Sequence, residues 1–326
     1  MILVNDVQES LGLFEALASP VRLQIIGLLR DGREMNINEI AKQIHLTNSA
    51  LTMHIQKLAD CGILRIRLCA LSRGTQKMCS LTEDKILIEF VDKIGNDNFY
   101  ETELEVGQYS DYSISPTCGI ADLYSLIGDF DDPQIFSYPE RFQARILWFT
   151  EGFVTYRFPS KLRSYQQPEE LQFSMEISGE APGASQHFPS SIHFIVNGID
   201  VGEYVCPGEY FDRRGRFTPD WWSSNFGQYG RLKNLSIDRY GTLLDGLRIG
   251  DTTIEDLHLD KNENISLTID CQDKDNYHGG VNLFGTGFGD YNQGIRCRLF
   301  YSETKEKPKN ATATPDTDFP ENKTEK

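Results

Sequence analysis

Residues 37–67 read INEIAKQIHLTNSALTMHIQKLADCGILRIR, and this stretch decides the fold of the first part of the chain. Ile40, Ala41 and Ile44 recur at helical spacing, and Asn38 is placed to cap the helix that carries them. His45-Leu46-Thr47 leaves room only for a short turn. Thr47 can cap a second helix running to Asp60, where Gly62 stops it. Two helices joined by about three residues make a helix-turn-helix. Ile63 to Cys69 then reads as a strand, LSRG (71–74) as a turn and Thr75 to Leu81 as the returning strand. A helix-turn-helix followed directly by a basic hairpin is a winged helix. Upstream, FEALASPVRLQIIGLL (14–29) supplies the supporting helices. The first is expected over Glu9 to Ala18. The second begins at Ser19-Pro20, with proline at its first helical position, and ends near Asp31-Gly32.

Charge divides the chain at the same place as texture. The whole 326-residue chain carries −16 at pH 7, a poor balance for contact with a polyanion. Residues 20–80 nevertheless hold nine basic and four acidic side chains, a local +5. Residues 101–302 carry −14. A small positive module is joined to a large negative one and has to be read separately. We expect an α+β multidomain chain: a winged helix over 1–96, an all-β sandwich or jelly roll over 97–302, and a disordered polar tail over 303–326.

The quoted stretch, with His54, Leu58 and the Gly62-Ile63-Leu64 stop, resembles the winged-helix domain of ArsR-type bacterial transcription regulators over residues 10–80. The resemblance implies binding to double-stranded operator DNA through the second helix of the pair. In that helix Ala50, Leu51, Ile55 and Leu58 form the apolar side. Asn48, Ser49, Thr52, Met53, Gln56 and Lys57 are left outside. Asn48, Ser49 and Thr52 lie near the helix start, where base edges are read, and Met53 suits a thymine methyl. Lys57 and the hairpin cations Arg65, Arg67, Arg73 and Lys77 suit phosphate contact. A homodimer is expected, since such regulators read two half-sites by two-fold symmetry. The first helix or EDKILIEFVDKI (83–94) could supply its surface.

No cofactor or metal is expected. ArsR-type metal sensors carry paired cysteines on the helices before or within the recognition pair, and IAKQIHLTNSALTMH has none. His45 and His54 are nine apart, which does not place two ligands on one helical face. The seven cysteines are odd in number and unpaired in spacing, so reduced thiols are expected. No apolar run spans a membrane and the first residues lack a basic leader, which leaves the cytoplasm as the expected compartment.

Beyond residue 100 short alternating runs dominate. ARILWFT–EG–FVTYRF (144–158) reads as a hairpin turning at Glu151-Gly152, and SIHFIV–NG–IDVGEYV (191–205) as one turning at Asn197-Gly198. GIADLYSLIGDF (119–130) reads as a short helix or an irregular excursion. Two polar-aromatic sections stand between strands. PGEYFDRRGRFTPDWWSSNFGQYGRLKN (207–234) gathers Arg213, Arg214, Trp221, Trp222 and Tyr229 beside Glu209 and Asp212. DNYHGGVNLFGTGFGDYNQGI (275–295) adds His278, Asn282 and Tyr291. Aromatic faces beside amides, acids and guanidinium groups are what a small carbohydrate-like effector needs. The same aromatics could instead cover one end of a sandwich. The Gly285-Thr286-Gly287-Phe288-Gly289 cluster is no nucleotide loop, because no helix follows it in the right frame.

NGIDVG, PGEYFDRRGRFTPDWW and GGVNLFGTGFGDYNQ also resemble a group of Gram-positive regulators that join an ArsR-like head to a β-rich domain. That resemblance implies a transcriptional role but brings no ligand with it. Two other uses of the β domain stay open, a protein-interaction or oligomerisation module and a carbohydrate-active enzyme. No catalytic residue is singled out, and two close carboxylates in a cleft would be the mark of an enzyme.

Overall fold

The computed structural model describes residues 2–4, 10–30, 33–71, 74–82, 86–88, 98–180, 185, 187–259, 264–271 and 279–303. The tail expected to be disordered lies outside them from residue 304 onward. The head runs β1 (Ile2–Val4), α1 (Leu11–Leu17), α2 (Pro20–Leu28), β2 (Met35–Asn36), α3 (Ile37–Ile44), α4 (Asn48–Asp60), β3 (Leu64–Leu71), β4 (Gly74–Leu81) and β5 (Ile86–Ile88). The polypeptide closes α2 on α3 and α4 through Ile25, Leu29, Ile40, Leu51, Ile55 and Leu58, all essentially without exposure. Each such side chain contributes about 1.5–3 kcal/mol of burial. β3 and β4 pair antiparallel from Leu64↔Leu81 to Leu71↔Gly74, with β2 on the other side of β4.

The cap of α3 differs from expectation. Asn36, not Asn38, forms it: its Oδ1 accepts from Glu39 N at 2.9 Å, while the Glu39 carboxylate accepts from Asn36 N at 2.9 Å. This reciprocal box satisfies two backbone donors at once, which a cap at Asn38 would not. Asn38 is left to accept from the Asn48 amide at 2.7 Å, tying α3 to the start of α4. Thr47 caps α4 as expected, at 3.4 Å from Ala50 N, and Gly62 leaves the helix with φ +72°.

The second part is β6 (Phe99–Leu104), β7 (Asp111–Ala121), β8 (Ile146–Phe158), β9 (Gln166–Glu180), β10 (Ser190–Val196), β11 (Ile199–Cys206), β12 (Arg231–Asp238), β13 (Gly241–Leu244), β14 (Leu247–Gly250), β15 (Ile265–Cys271), β16 (Gly280–Phe284) and β17 (Ile295–Glu303). These form one antiparallel sheet of 12 strands that folds back on itself. One half runs β11-β10-β15-β8-β7 and the other β6-β17-β9-β12-β13-β14. β16 stitches them, pairing with Ile146–Phe149 of β8 and with Glu176–Glu180 of β9. At the far edges Gly202 of β11 packs on Ile249 of β14, so the sheet closes nearly into a barrel. Its core includes Phe149, Tyr156, Phe158, Phe173, Phe194, Ile269 and Leu283.

Residues 144–158 are not a hairpin. β8 runs straight through Glu151-Gly152, with β7 along one side and β15 then β16 along the other. Gly152 is needed for contact rather than for turning: a Cβ there would stand 1.9 Å from Ser113 O on β7. Asn197-Gly198 does turn β10 into β11, with both residues at positive φ as a type I′ turn requires. Residues 119–130 finish β7 and then bend irregularly through an Ala121↔Leu126 bridge.

Candidate functional site

The outward side of α4 is open. Asn48, Ser49, Thr52, Met53 and Gln56 are exposed, and Met53 is 77% exposed, high for an apolar side chain. Apart from the Asn48 amide, which donates to Asn38, their polar atoms are engaged within α4 and its cap. Thr52 Oγ1 donates to Asn48 O at 2.7 Å and Gln56 donates to Asp60 at 2.7 Å. Lys57 Nζ sits 3.0 Å from Glu15 on α1. Such solvated contacts are worth little and are easily exchanged. His54 turns to the interior, its Nδ1 3.5 Å from Arg22 Nη1, and Arg22 also donates to Glu15 O at 2.7 Å.

The hairpin cations separate. Lys77 is exposed. Arg73 lies outside the described residues. Arg67 makes a two-pronged pair with Glu34 at 3.2 and 2.7 Å, which raises its pKa through that hydrogen bond and charge. Arg65 faces the β domain, with Nη1 3.9 Å from Asp212.

Asp212 belongs to the segment between β11 and β12, the first of the polar-aromatic sections. Tyr210 and Tyr229 bridge it into a loose hairpin, their rings stacked at 5.4 Å. Tyr229 OH donates to Asp212 at 2.6 Å, and the Arg213 guanidinium lies 3.7 Å above the Tyr229 ring. Arg213 also pairs with Asp290, donating from Nη1 to Oδ1 at 2.8 Å. Burial pushes Asp290 up, but the hydrogen bond and charge of Arg213 outweigh it and hold the carboxyl below its usual range. Arg231 donates to Thr82 O of the head at 3.0 Å. Beneath this layer the Glu176 carboxylate is fully buried and accepts from the N–H groups of Gly230, Asp290 and Tyr291 at 2.7–2.8 Å. Burial pushes its pKa up to about 8 against the pull of those donors. It pins both polar-aromatic sections to β9.

A small cleft of about 80 Å³ opens on the other side of the same hairpin. It is lined by the rings of Phe130, Trp148, Trp222 and Phe226, by Glu180, Glu209 and Asn282, and by Thr117, Asn225 and Gly227. The four rings follow one another at 5.4–5.6 Å between centroids. Asn282 Nδ2 donates to Gly179 O at 2.6 Å, and Trp222 Nε1 donates to Gly227 O at 2.9 Å. Gly227 passes so close to Glu209 that a Cβ would stand 2.9 Å from its Oε1. Burial pushes Glu209 up to about 7 and Glu180 well above the carboxylate range, the latter further raised by the charge of Glu209.

Of the side chains expected to bind ligand, Trp222 and Asn282 line this cleft. Trp221 stands edge-on to Trp222 at 5.5 Å, with its Nε1 donating to Leu123 O at 2.6 Å. Arg213 and Tyr229 lie in the layer between cleft and head. Arg214 bonds its own loop at Pro219 O and Asp220 O. Tyr291 contributes its backbone N–H to Glu176. His278 lies outside the described residues. Trp148, Phe130, Phe226 and Glu180 were not singled out from sequence. Trp148 and Glu180 sit inside strands whose alternation gives no hint of a site.

The described residues contain no cluster of three His, Cys, Asp or Glu side chains fit for a metal, and the cysteines are free thiols. Among them no single helix is long and apolar enough to cross a membrane.

The fold is thus a winged helix-turn-helix head joined to a large antiparallel β domain. Residues 19–65 match the family model of bacterial regulatory proteins of the arsR family, and the head is an ArsR-type helix-turn-helix region. Among solved structures, reduced HlyU from Vibrio cholerae is 28% identical, over 23% of this chain and 75% of its own, with a TM-score of 0.21. An ArsR family transcriptional regulator is 30% identical over 25% of this chain and 76% of its own, with a TM-score of 0.20. A carbohydrate-binding module, CBM36, in complex with calcium and xylotriose aligns with 61% of this chain and 98% of its own, at 9% identity and a TM-score of 0.26. No curated protein sequence matches the chain.

Proposed function

We propose that this chain is a DNA-binding transcriptional regulator whose β domain takes up a small polar, sugar-sized ligand and passes its occupancy to the head. The arsR-family match over residues 19–65 and the open polar side of α4 support the first half. Asn48, Ser49, Thr52 and Met53 read base edges, while Gln56, Lys57, Lys77, Arg73 and the pair Arg65 and Arg67 serve the phosphates. The protein acts as a homodimer on two half-sites.

The observation that carries the second half is the sharing of one hairpin. Residues 207–231 give Glu209, Trp222 and Gly227 to the cleft, and three residues after Glu209 they give Asp212 to Arg65 of the wing. Arg231, at the end of the same segment, holds Thr82. A ligand that moves Glu209 therefore moves the group holding a phosphate-binding cation, and the two sites share a coupling free energy. Asp212→Ala frees Arg65. It should raise DNA affinity, steepen the salt dependence by about one phosphate contact, and abolish any effect of cleft ligands on DNA binding. Fluorescence anisotropy of bound DNA across a salt series measures all three. Unchanged affinity and slope would sink the coupling.

A second reading has its own observation, the placing of Glu180 and Glu209 in one cleft. Paired carboxylates of this kind serve glycoside hydrolysis. Release of nitrophenol from aryl glycosides, lost in both Glu180→Gln and Glu209→Gln, would establish it. Absence of turnover leaves the cleft to binding.

A further inference from the structure

We infer that the ligand of the β-domain cleft is an organic cation, an amine or quaternary ammonium of sugar size, held between the aromatic rings and the Glu180–Glu209 pair. This rests on the reading of the cleft as a ligand site and names its chemistry. Glu209 is only 2% exposed, and its Oε2 has no hydrogen-bond partner among the described residues. Glu180, 8% exposed, shares the cleft, and Asp131 adds a third negative charge that acts on it. None of the described residues lining the cleft is basic. Arg213 and Lys233 of the same domain are committed elsewhere, to Asp290 and Asp245, each at 2.8 Å. The Glu209 carboxyl accepts from the backbone at Gly227 and Ser185, but its Oε2 has no partner, and no lining side chain brings a counter-charge to either acid.

The aromatic lining fits the same occupant. Trp148, Trp222, Phe226 and Phe130 pack ring against ring in a closed circuit, and all four line the cleft. Aromatic faces attract cations through the ring quadrupole, and this attraction strengthens where water is excluded. A neutral sugar would use the rings equally well but would leave the acid pair short of counter-charge. A calcium ion would use the acids, amides and hydroxyl of the lining as its oxygen ligands but would leave the four rings without a role.

Binding of a cation must also pull protons off the pair. Burial pushes Glu209 up to about 7, and burial with the charges of Glu209 and Asp131 pushes Glu180 well above the carboxylate range, Asn282 opposing by hydrogen bonding. An ammonium group reverses that balance, so uptake releases protons to the buffer.

The test is isothermal titration of the full chain with two matched pairs, glucosamine against glucose and choline against its neutral carbon analogue 3,3-dimethylbutanol. It is repeated at mildly acid pH in buffers of different ionisation heat. The expected result is that the charged member of at least one pair binds about tenfold or more tightly than its neutral partner, with proton release. Both signatures should vanish in Glu209→Gln and weaken in Glu180→Gln, either variant being sufficient where the other fails to fold. Equal binding of neutral members, binding of calcium instead, or no binding by any charged member at millimolar concentration overturns the inference. Glucose binding that is lost in Trp222→Ala would remove the cation while leaving the cleft a ligand site. Glucose binding that survives Trp222→Ala would remove the cleft as well.

Discussion

Helix α4 and the cleft of the β domain are built on opposite principles. Around α4 the interior is apolar, and among the described polar side chains of the head only Asn36 is buried. The α4 side chains proposed to read DNA stand outside and exposed. In the β domain the ionisable groups go inward: Glu176, Glu180, Glu209, Lys233, Asp245 and Asp270 are all buried. A surface that meets a large, charged, flat partner needs no buried charge, because the partner brings its own counterions and releases them. A site that must discriminate a small molecule has to exclude water, and there each polar group is expensive unless a partner satisfies it. Among the described residues the head leaves no buried side-chain polar atom without a partner, whereas in the β domain Glu209 Oε2 has none.

The sharpest way to break this contrast is at Glu176. Glu176→Ala leaves the N–H groups of Gly230, Asp290 and Tyr291 buried without an acceptor. It should cost the β domain about 1–3 kcal/mol for each donor left unpaired. All three tryptophans, Trp148, Trp221 and Trp222, lie in that domain, so their fluorescence follows its melting alone. The helical circular dichroism of the head should persist to a higher temperature than the tryptophan signal. Joint loss of both signals would mean that the two cores are not independent.

The converse substitution is Ile55→Ala. Ile55 is 1% exposed in the core of the head, and its truncation should cost about 2–5 kcal/mol there. The tryptophan melting should stay in place. A shift of that signal would again deny the separation.

The smallest effect concerns pH. Burial raises Glu209 from 4.5 to about 7 in the folded protein. A raised acid contributes stability that is complete below the unfolded pKa and is lost as pH rises through the folded one. The β domain should therefore weaken between about pH 5 and pH 8, by about 1–3 kcal/mol in all. Glu209→Gln should flatten this slope and melt later than the wild type above neutrality. A variant that keeps the wild-type slope would show that other acids carry it.

The head was legible because its signals are local. Ser19-Pro20, Thr47 and Gly62 act within one helical turn of where they stand, and Leu51, Ile55 and Leu58 fall on one side by period alone. Even its one misreading, Asn38 for Asn36, was a choice between caps two residues apart. In the β domain Asn197-Gly198 was legible for the same reason. Glu151-Gly152 was not, since what makes it a strand is β7 and β15 lying on either side. The cleft was legible only in part because it collects segments near residues 117, 130, 148, 180, 209–227 and 282. Glu176 and Glu180 alternate with Met175 and Ile177 as solvent-facing residues of a half-buried strand would. It is the loops packed over that side of β9 that bury them.

The central claim is that the head reads DNA through the open side of α4. The most direct measurement is selection of bound fragments from sheared genomic DNA by the full chain, run beside the triple variant Asn48→Ala, Thr52→Ala, Met53→Ala. Enrichment of fragments that share a two-fold-symmetric site is expected, with loss of that enrichment in the variant while weak, salt-sensitive binding remains. Enrichment of the same fragments by both proteins, or of none by the wild type, would contradict it.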